Sequence, residues 1–72
     1  MFGKRLRNAR MAKRITQEKL AEEVGVALRT YQCYEQGVRK PTFEVLVHLA
    51  DILDVSTDYL LGRDEFIERR KS

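Results

Sequence analysis

The chain has 72 residues, a single cysteine, a single histidine and a formal net charge of +3. A chain of this length makes one domain, which buries only roughly 60% of the surface that its unfolded form exposes; Cys33 alone forms no internal disulfide and His48 alone completes no zinc set, so helix packing, helped by dimerisation, has to hold the fold. The longest aliphatic run, Val45-Leu46-Val47, falls far short of the ~20 residues of a membrane span, and Met1-Phe2-Gly3 leads straight into Lys4, Arg5 and Arg7 with no apolar stretch behind them, so a soluble, cytoplasmic protein without a signal peptide is expected.

Apolar spacing and punctuation predict an all-α chain of five helices, with no competing strand pattern. The first runs from about Phe2 to Lys13, with Phe2, Leu6 and Ala9 on one stripe and basic residues filling the rest. The second starts at Thr16, a good N-cap, and turns Leu20, Ala21 and Val24 inward before Gly25 ends it. Lys19 stands where a capping box would have Glu, so only half of that motif is present. The third covers about Ala27 to Gln36 and stops at Gly37, which takes the left-handed conformation without steric cost. Residues 38–41 form a loop. Thr42 caps a fourth helix whose Phe43, Leu46, Leu49, Ala50 and Leu53 keep helical period to Asp54, a residue that tolerates left-handed backbone. Ser56 opens a short fifth helix, with Asp58 near its positive end and Tyr59, Leu60 and Leu61 packing before Gly62. Residues 63–72 are mostly charged.

Residues 17–36 form two short helices joined only by Gly25 and Val26, a connection too tight for an ordinary antiparallel hairpin. The small Ala21 and the glycine let the second helix cross closely and protrude. On a helical wheel, Ala27, Tyr31 and Tyr34 share one face, and Leu28, Arg29, Gln32, Cys33 and Gln36 the opposite one. The first face packs and the second is exposed. Arg grips guanine bidentately, Gln pairs with adenine and Leu packs on a thymine methyl, so that exposed face has the chemistry of a base reader, although the plainer reading is a solvated polar face. Charge placement leans the same way. Residues 1–40 hold ten Lys/Arg against four Asp/Glu, a surplus of +6, whereas residues 41–72 hold four against seven, a deficit of −3. One face is thereby suited to a polyanion and the other to solvent or a partner.

The stretch TQEKLAEEVGVALRTYQCYEQGVRKPTFEVLVHLADILDVSTDYLLG resembles the Cro/CI-type (Xre) helix-turn-helix family of phage and bacterial repressors, over roughly residues 4–62. TQEKLAEEVGV matches the positioning helix and turn, YEQG the close of the recognition helix, KPTFEVLVHLADIL the fourth helix and VSTDYLLG the end, in the family's order and spacing. The resemblance implies a compact five-helix, lambda-repressor-like domain over residues 1–62, with helices 2 and 3 as the helix-turn-helix and residues 63–72 as a charged tail. It implies base contacts in the major groove from Leu28, Arg29, Gln32 and Cys33. Phosphate contacts fall to Gln17, at the positive end of the second helix, and to Gln36, Arg39, Lys40 and Thr42. It also implies an ion pair, Arg10–Glu35, bridging the first and third helices. Three positions depart from the family pattern: Ala27 where Ser or Thr often caps the recognition helix, Tyr31 where Ile or Val is common, and Asp54 in place of Gly. Cys33 is an unusual groove-facing occupant, read as a small passive contact with oxidation sensing as the alternative.

A single helix-turn-helix covers only about four or five base pairs, so such proteins pair on palindromic half-sites about 34 Å apart. No separate dimerisation domain is expected. The dimer surface is therefore expected from the fifth helix and the tail, through Tyr59, Leu60, Phe66 and Ile67, because two apolar residues inside a charged tail call for a partner. Double-stranded DNA and a second copy are the expected partners, with no cofactor, metal, membrane or small-molecule substrate. The rival reading is an antitoxin or protein-interaction regulator whose main partner is another protein bound at the acidic second half. An enzyme is not expected, since no acid–base, nucleophile or metal constellation can be assembled. A prophage repressor, a restriction-modification controller and a chromosomal regulator look alike at this length.

Overall fold

The structure is a computed structural model, and it describes residues 2–62. Over those residues it consists of α1 (Phe2–Ala12), α2 (Gln17–Val24), α3 (Leu28–Gln36), α4 (Phe43–Leu53) and α5 (Thr57–Leu61), with no strand among the described residues. The all-α, five-helix expectation holds. Three N-caps work through a hydroxyl: Thr16 accepts from the Lys19 amide at 3.1 Å, Thr42 from Val45 at 3.3 Å and Ser56 from Tyr59 at 2.9 Å. Each satisfies one of the amides that a helix start leaves without an internal partner. Ala27 has no such oxygen, and α3 begins without a side-chain cap.

Helix α1 packs on α3 and α5, α2 on α3 and α4, and α4 on α5. Leu6, Leu20, Tyr31, Leu49, Leu53 and Leu60 are the largest fully buried side chains at the centre. Gly3 makes the approach of α1 to α3 possible: a Cβ built there would lie 2.2 Å from the Glu35 carbonyl oxygen and 2.9 Å from that of Tyr34.

Several sequence expectations need correction. Phe43 keeps the apolar period of the fourth helix but, as the first residue of α4, is 75% exposed. Leu61 is 45% exposed, at the end of a helix too short to bury both of its leucines. Ala27 is exposed as the residue preceding α3, not packed on its inner face. Helix α1 ends at Ala12, and Arg14 takes a left-handed conformation (φ 58°) that the sequence did not announce. Leu60 is 0% exposed, so its side chain belongs to the core of its own chain and is removed from the expected dimer surface.

Candidate nucleic-acid interface

The turn between α2 and α3 is set by Gly25, whose φ of 74° lies in the left-handed region. Its conformation lets Val26 N–H donate to the Ala21 carbonyl at 3.0 Å, closing the end of α2 and releasing the chain into α3 within three residues. Two tyrosines then anchor the inner side of α3. Tyr31 is fully buried and Tyr34 nearly so, and their rings meet edge to face at 6.3 Å. Anchoring that side turns the other outward: Leu28, Arg29 and Gln36 are exposed, and Gln32 and Cys33 are half-buried at the flank. The polar face expected from the wheel is thus the accessible one.

Behind this face lies a polar cluster. Arg10 Nε donates to Glu35 Oε2 at 2.7 Å and its Nη1 to the Ile15 carbonyl at 2.9 Å, tying α1 to α3 and to the chain just before α2. The two side chains are 13% and 6% exposed. Glu35 also accepts from the Tyr31 hydroxyl at 2.5 Å and from Gln17 Nε2 at 3.1 Å. Gln32 Nε2 in turn donates to Gln17 Oε1 at 3.4 Å. Burial alone would push the Glu35 carboxyl up, but the hydrogen bonds from Arg10, Tyr31 and Gln17 outweigh it and hold the group below its ordinary range. The hydrogen bond to Glu35 raises Arg10 above its already high value, against the opposing effect of burial. Burial first, and the hydrogen bond to Glu35 second, push the Tyr31 phenol well above its ordinary value.

A polar cleft of about 370 Å³ opens over the cluster, lined by Arg7, Arg10, Gln17, Gln32, Glu35 and Gln36. Arg7 was not singled out in the sequence. Its spacing from Arg10 on α1 put both on one side of that helix, which was the available signal. Gln17 stands at the start of α2, where the helix dipole is positive. Arg39, Lys40 and Thr42 are exposed along the loop that leads into α4, with the Thr42 hydroxyl engaged as its cap. Lys40 also borders an apolar groove of about 330 Å³ with Phe2, Pro41, Leu46 and Leu61. Tyr59 is half-buried, its ring under the Arg5 guanidinium at 4.9 Å and its carbonyl accepting from Arg5 Nη1 at 2.9 Å. Phe66 and Ile67 lie outside the described residues.

Two short helices joined at a left-handed glycine, the second held by its tyrosines and presenting Arg and Gln outward, define a helix-turn-helix domain of the lambda- and P22-repressor-like fold. Residues 6–60 match the helix-turn-helix family HTH_3, and the chain belongs to that family, as a regulator domain of the Cro/CI (Xre) type. It is 48% identical over 59 residues to the cryptic phage CTXphi transcriptional repressor RstR of Vibrio cholerae, covering 82% of this chain and 53% of that protein. Among solved structures, the P22 c2 repressor in complex with a synthetic operator superposes with a TM-score of 0.79 at 33% identity, covering 83% of this chain and 91% of that one. A chain of the SinR protein/SinI protein complex also gives 0.79 at 33% identity, covering 96% of this chain and 66% of that one. The chain spans about half the length of the curated relatives it matches.

Proposed function

We propose that this chain binds a specific double-stranded DNA sequence and represses transcription from it, in the cytoplasm, by binding and not by catalysis. The observation that carries the reading is the outward face of α3: Leu28 and Arg29 are exposed, with Gln32 and Cys33 half-buried beside them, on a helix fixed by Tyr31 and Tyr34. In this reading α3 enters the major groove. Arg29 grips a guanine, Gln32 meets an adenine, and Leu28 and Cys33 make the apolar contacts. Gln17 and the start of α2, with Gln36, Arg39, Lys40 and the Thr42 end of α4, hold the phosphates on either side. Arg7 extends that phosphate surface from α1. The basic first half draws the protein to any DNA, and the base contacts select the operator.

Repression is supported by the relative named as a transcriptional repressor and by the P22 c2 repressor seen in complex with a synthetic operator. A palindromic site bound by two copies follows from the small footprint of one helix-turn-helix, with half-sites about 34 Å apart. With Leu60 buried, the pairing surface reduces to Tyr59 together with Phe66 and Ile67 of the tail. The SinR/SinI complex supports a second reading, in which a protein partner governs the domain. Site selection from a random duplex pool, followed by a salt titration on the winning sequence, tests the proposal. A palindromic consensus bound several orders of magnitude more tightly than random DNA upholds it; weak, salt-sensitive, sequence-blind binding moves the case to the protein partner.

A further inference from the structure

Phe2, Pro41, Leu46 and Leu61 line the apolar groove of about 330 Å³, and Lys40 brings a charge to its rim. None of the four apolar residues has a part in the DNA contacts proposed above. An apolar cavity of about 150 Å³ already holds a benzene molecule, so the groove has room for a phenyl ring with an aliphatic side chain beside it. Leu61 is both an exposed wall of the groove and the last residue of α5, so the chain leaves its last helix at the groove's edge. Phe66 and Ile67 follow shortly after, an apolar pair with Asp64 and Glu65 before it and Glu68 behind it. The segment from Asp64 to Glu68 thus carries acidic side chains and no basic one, the sign that suits a groove rimmed by Lys40.

We propose that this groove receives Phe66 and Ile67 of a second copy of the chain, and that its own Phe66 and Ile67 enter the groove of that copy in return. The proposal rests on the two-copy reading above and supplies the seat that the pairing residues need. Leu60 is buried and Tyr59 lies against Arg5, so the short α5 keeps little apolar surface to offer a partner directly. A stable interface buries about 1,200 Å² or more in total, and each seated aromatic side chain contributes about 150–250 Å² of it, so exchange adds two such contributions at once. From Leu61 to Phe66 the chain spans at most about 18 Å, and a tail therefore reaches a neighbour's groove only when the two copies meet along α5, the helix already assigned to pairing. Pairing there about a two-fold axis gives each tail the same seat on the other copy, a closed contact and a low-cost route to a dimer. The apolar pair carries the affinity. The acidic flanks and Lys40 form a solvated rim worth little energy, which favours this segment over a basic one and leaves Lys40 able to meet a phosphate.

The chain has no tryptophan, so Phe66→Trp gives the full chain a single emitter at the proposed seat. Without DNA, its emission should move to the blue as protein concentration rises, over the range in which sedimentation equilibrium shows two chains associating. Phe66→Ser empties both seats and Leu61→Asp puts a charge into both. Each should raise the dissociation constant of the pair roughly a hundredfold, about tenfold for each phenyl ring no longer buried, with helical content unchanged. Mixed in equal amounts, the two variants should associate about tenfold more tightly than either does alone, because an intact tail on one then meets an intact groove on the other. Blue emission that does not depend on concentration overturns the proposal, since the tail would then sit in the groove of its own chain. A pair that withstands either substitution, or a mixture no tighter than its components, overturns it as well. The duplex pool tests the DNA-binding reading separately: a consensus upholds that reading even where the exchange fails, and a pool without one overturns it whatever the emission shows.

Discussion

Truncating Glu35 to alanine removes, in one step, the acceptor that three side chains share. Arg10 loses the contacts at 2.7 and 3.4 Å and keeps only the Ile15 carbonyl; Gln17 loses its 3.1 Å contact. The Tyr31 hydroxyl, on a side chain with no exposure, loses its partner as well. Breaking a buried ion pair from one side costs about 3–5 kcal/mol, and an orphaned buried hydroxyl alone about 1–3. Arg10 borders an open polar cleft and recovers some hydration, which places the expected loss near the lower end, about 3 kcal/mol. For a chain of this length the whole folding free energy is on the order of 4–11 kcal/mol, so a large part of it is at stake. Urea denaturation followed by helical circular dichroism reads the loss directly. A thermal melt should move down by about 12 °C or more. Glu35→Gln, which keeps an acceptor oxygen but no charge, should cost less than the alanine. A Glu35→Ala protein that loses under about 1 kcal/mol, with the slope of the urea transition unchanged, refutes the reasoning, because the network would then hold nothing that water could not replace.

Arg29→Ala should cost roughly 1–3 kcal/mol on the selected site and almost nothing on random duplex; equal losses on both, in a competition binding assay, would make Arg29 a phosphate contact. Stability should fall at both pH extremes. The Glu35 carboxyl is held low in the fold, so below its ordinary value of about 4.3 the unfolded chain takes up a proton that the native state refuses, and stability drops as pH falls further. The Tyr31 phenol is held high, so above about pH 10 the unfolded chain ionises first and stability drops as pH rises. Urea midpoints measured from acid to alkali should show the acid limb flattened by Glu35→Gln and the alkaline limb by Tyr31→Phe. Gly3→Ala places a methyl against the Glu35 carbonyl and should lower stability by about 1–3 kcal/mol; an unchanged melting temperature would mean that α1 does not rest on the end of α3.

What the sequence announced reliably was local. Thr16, Thr42 and Ser56 cap helices because a hydroxyl reaches an amide three residues on, and Gly25, Gly37 and Asp54 end them in left-handed backbone, a preference written in the residue itself. The wheel of α3 was legible for the same reason, since Tyr31 and Tyr34 are three apart. Periodicity misled at helix ends, where a residue keeps the phase of the helix without the neighbours that would cover it. Phe43 and Leu61 are exposed on that account, while Leu60, assigned to a partner, lies under its own chain. The polar cluster was out of reach of any local rule. Arg10 and Glu35 are 25 residues apart and Gln17 and Glu35 are 18 apart, so only the packing of α1 and α2 on α3 brings them together. The ion pair came from resemblance to a family; the bonds through Gln17 to Gln32 had no sequence signal.

The same cluster gives a reason for holding charge where apolar packing would serve stability as well. A buried ion pair seldom adds net stability over well-packed hydrophobic side chains, because the desolvation of both groups offsets their attraction. A leucine and a methionine in place of Glu35 and Arg10 would satisfy α1 and α3 by contact alone, yet they would leave the Tyr31 hydroxyl without a partner and Gln17 free to turn. The carboxylate does what no apolar residue can: it distinguishes a nitrogen from an oxygen, and so gives a side-chain amide one orientation out of two. The bonds continue through Gln17 to Gln32, half-buried on the flank of α3. The paired replacement Arg10→Met with Glu35→Leu should come closer to the unaltered chain in urea than Glu35→Ala does, because it leaves no charge unpaired in the cluster.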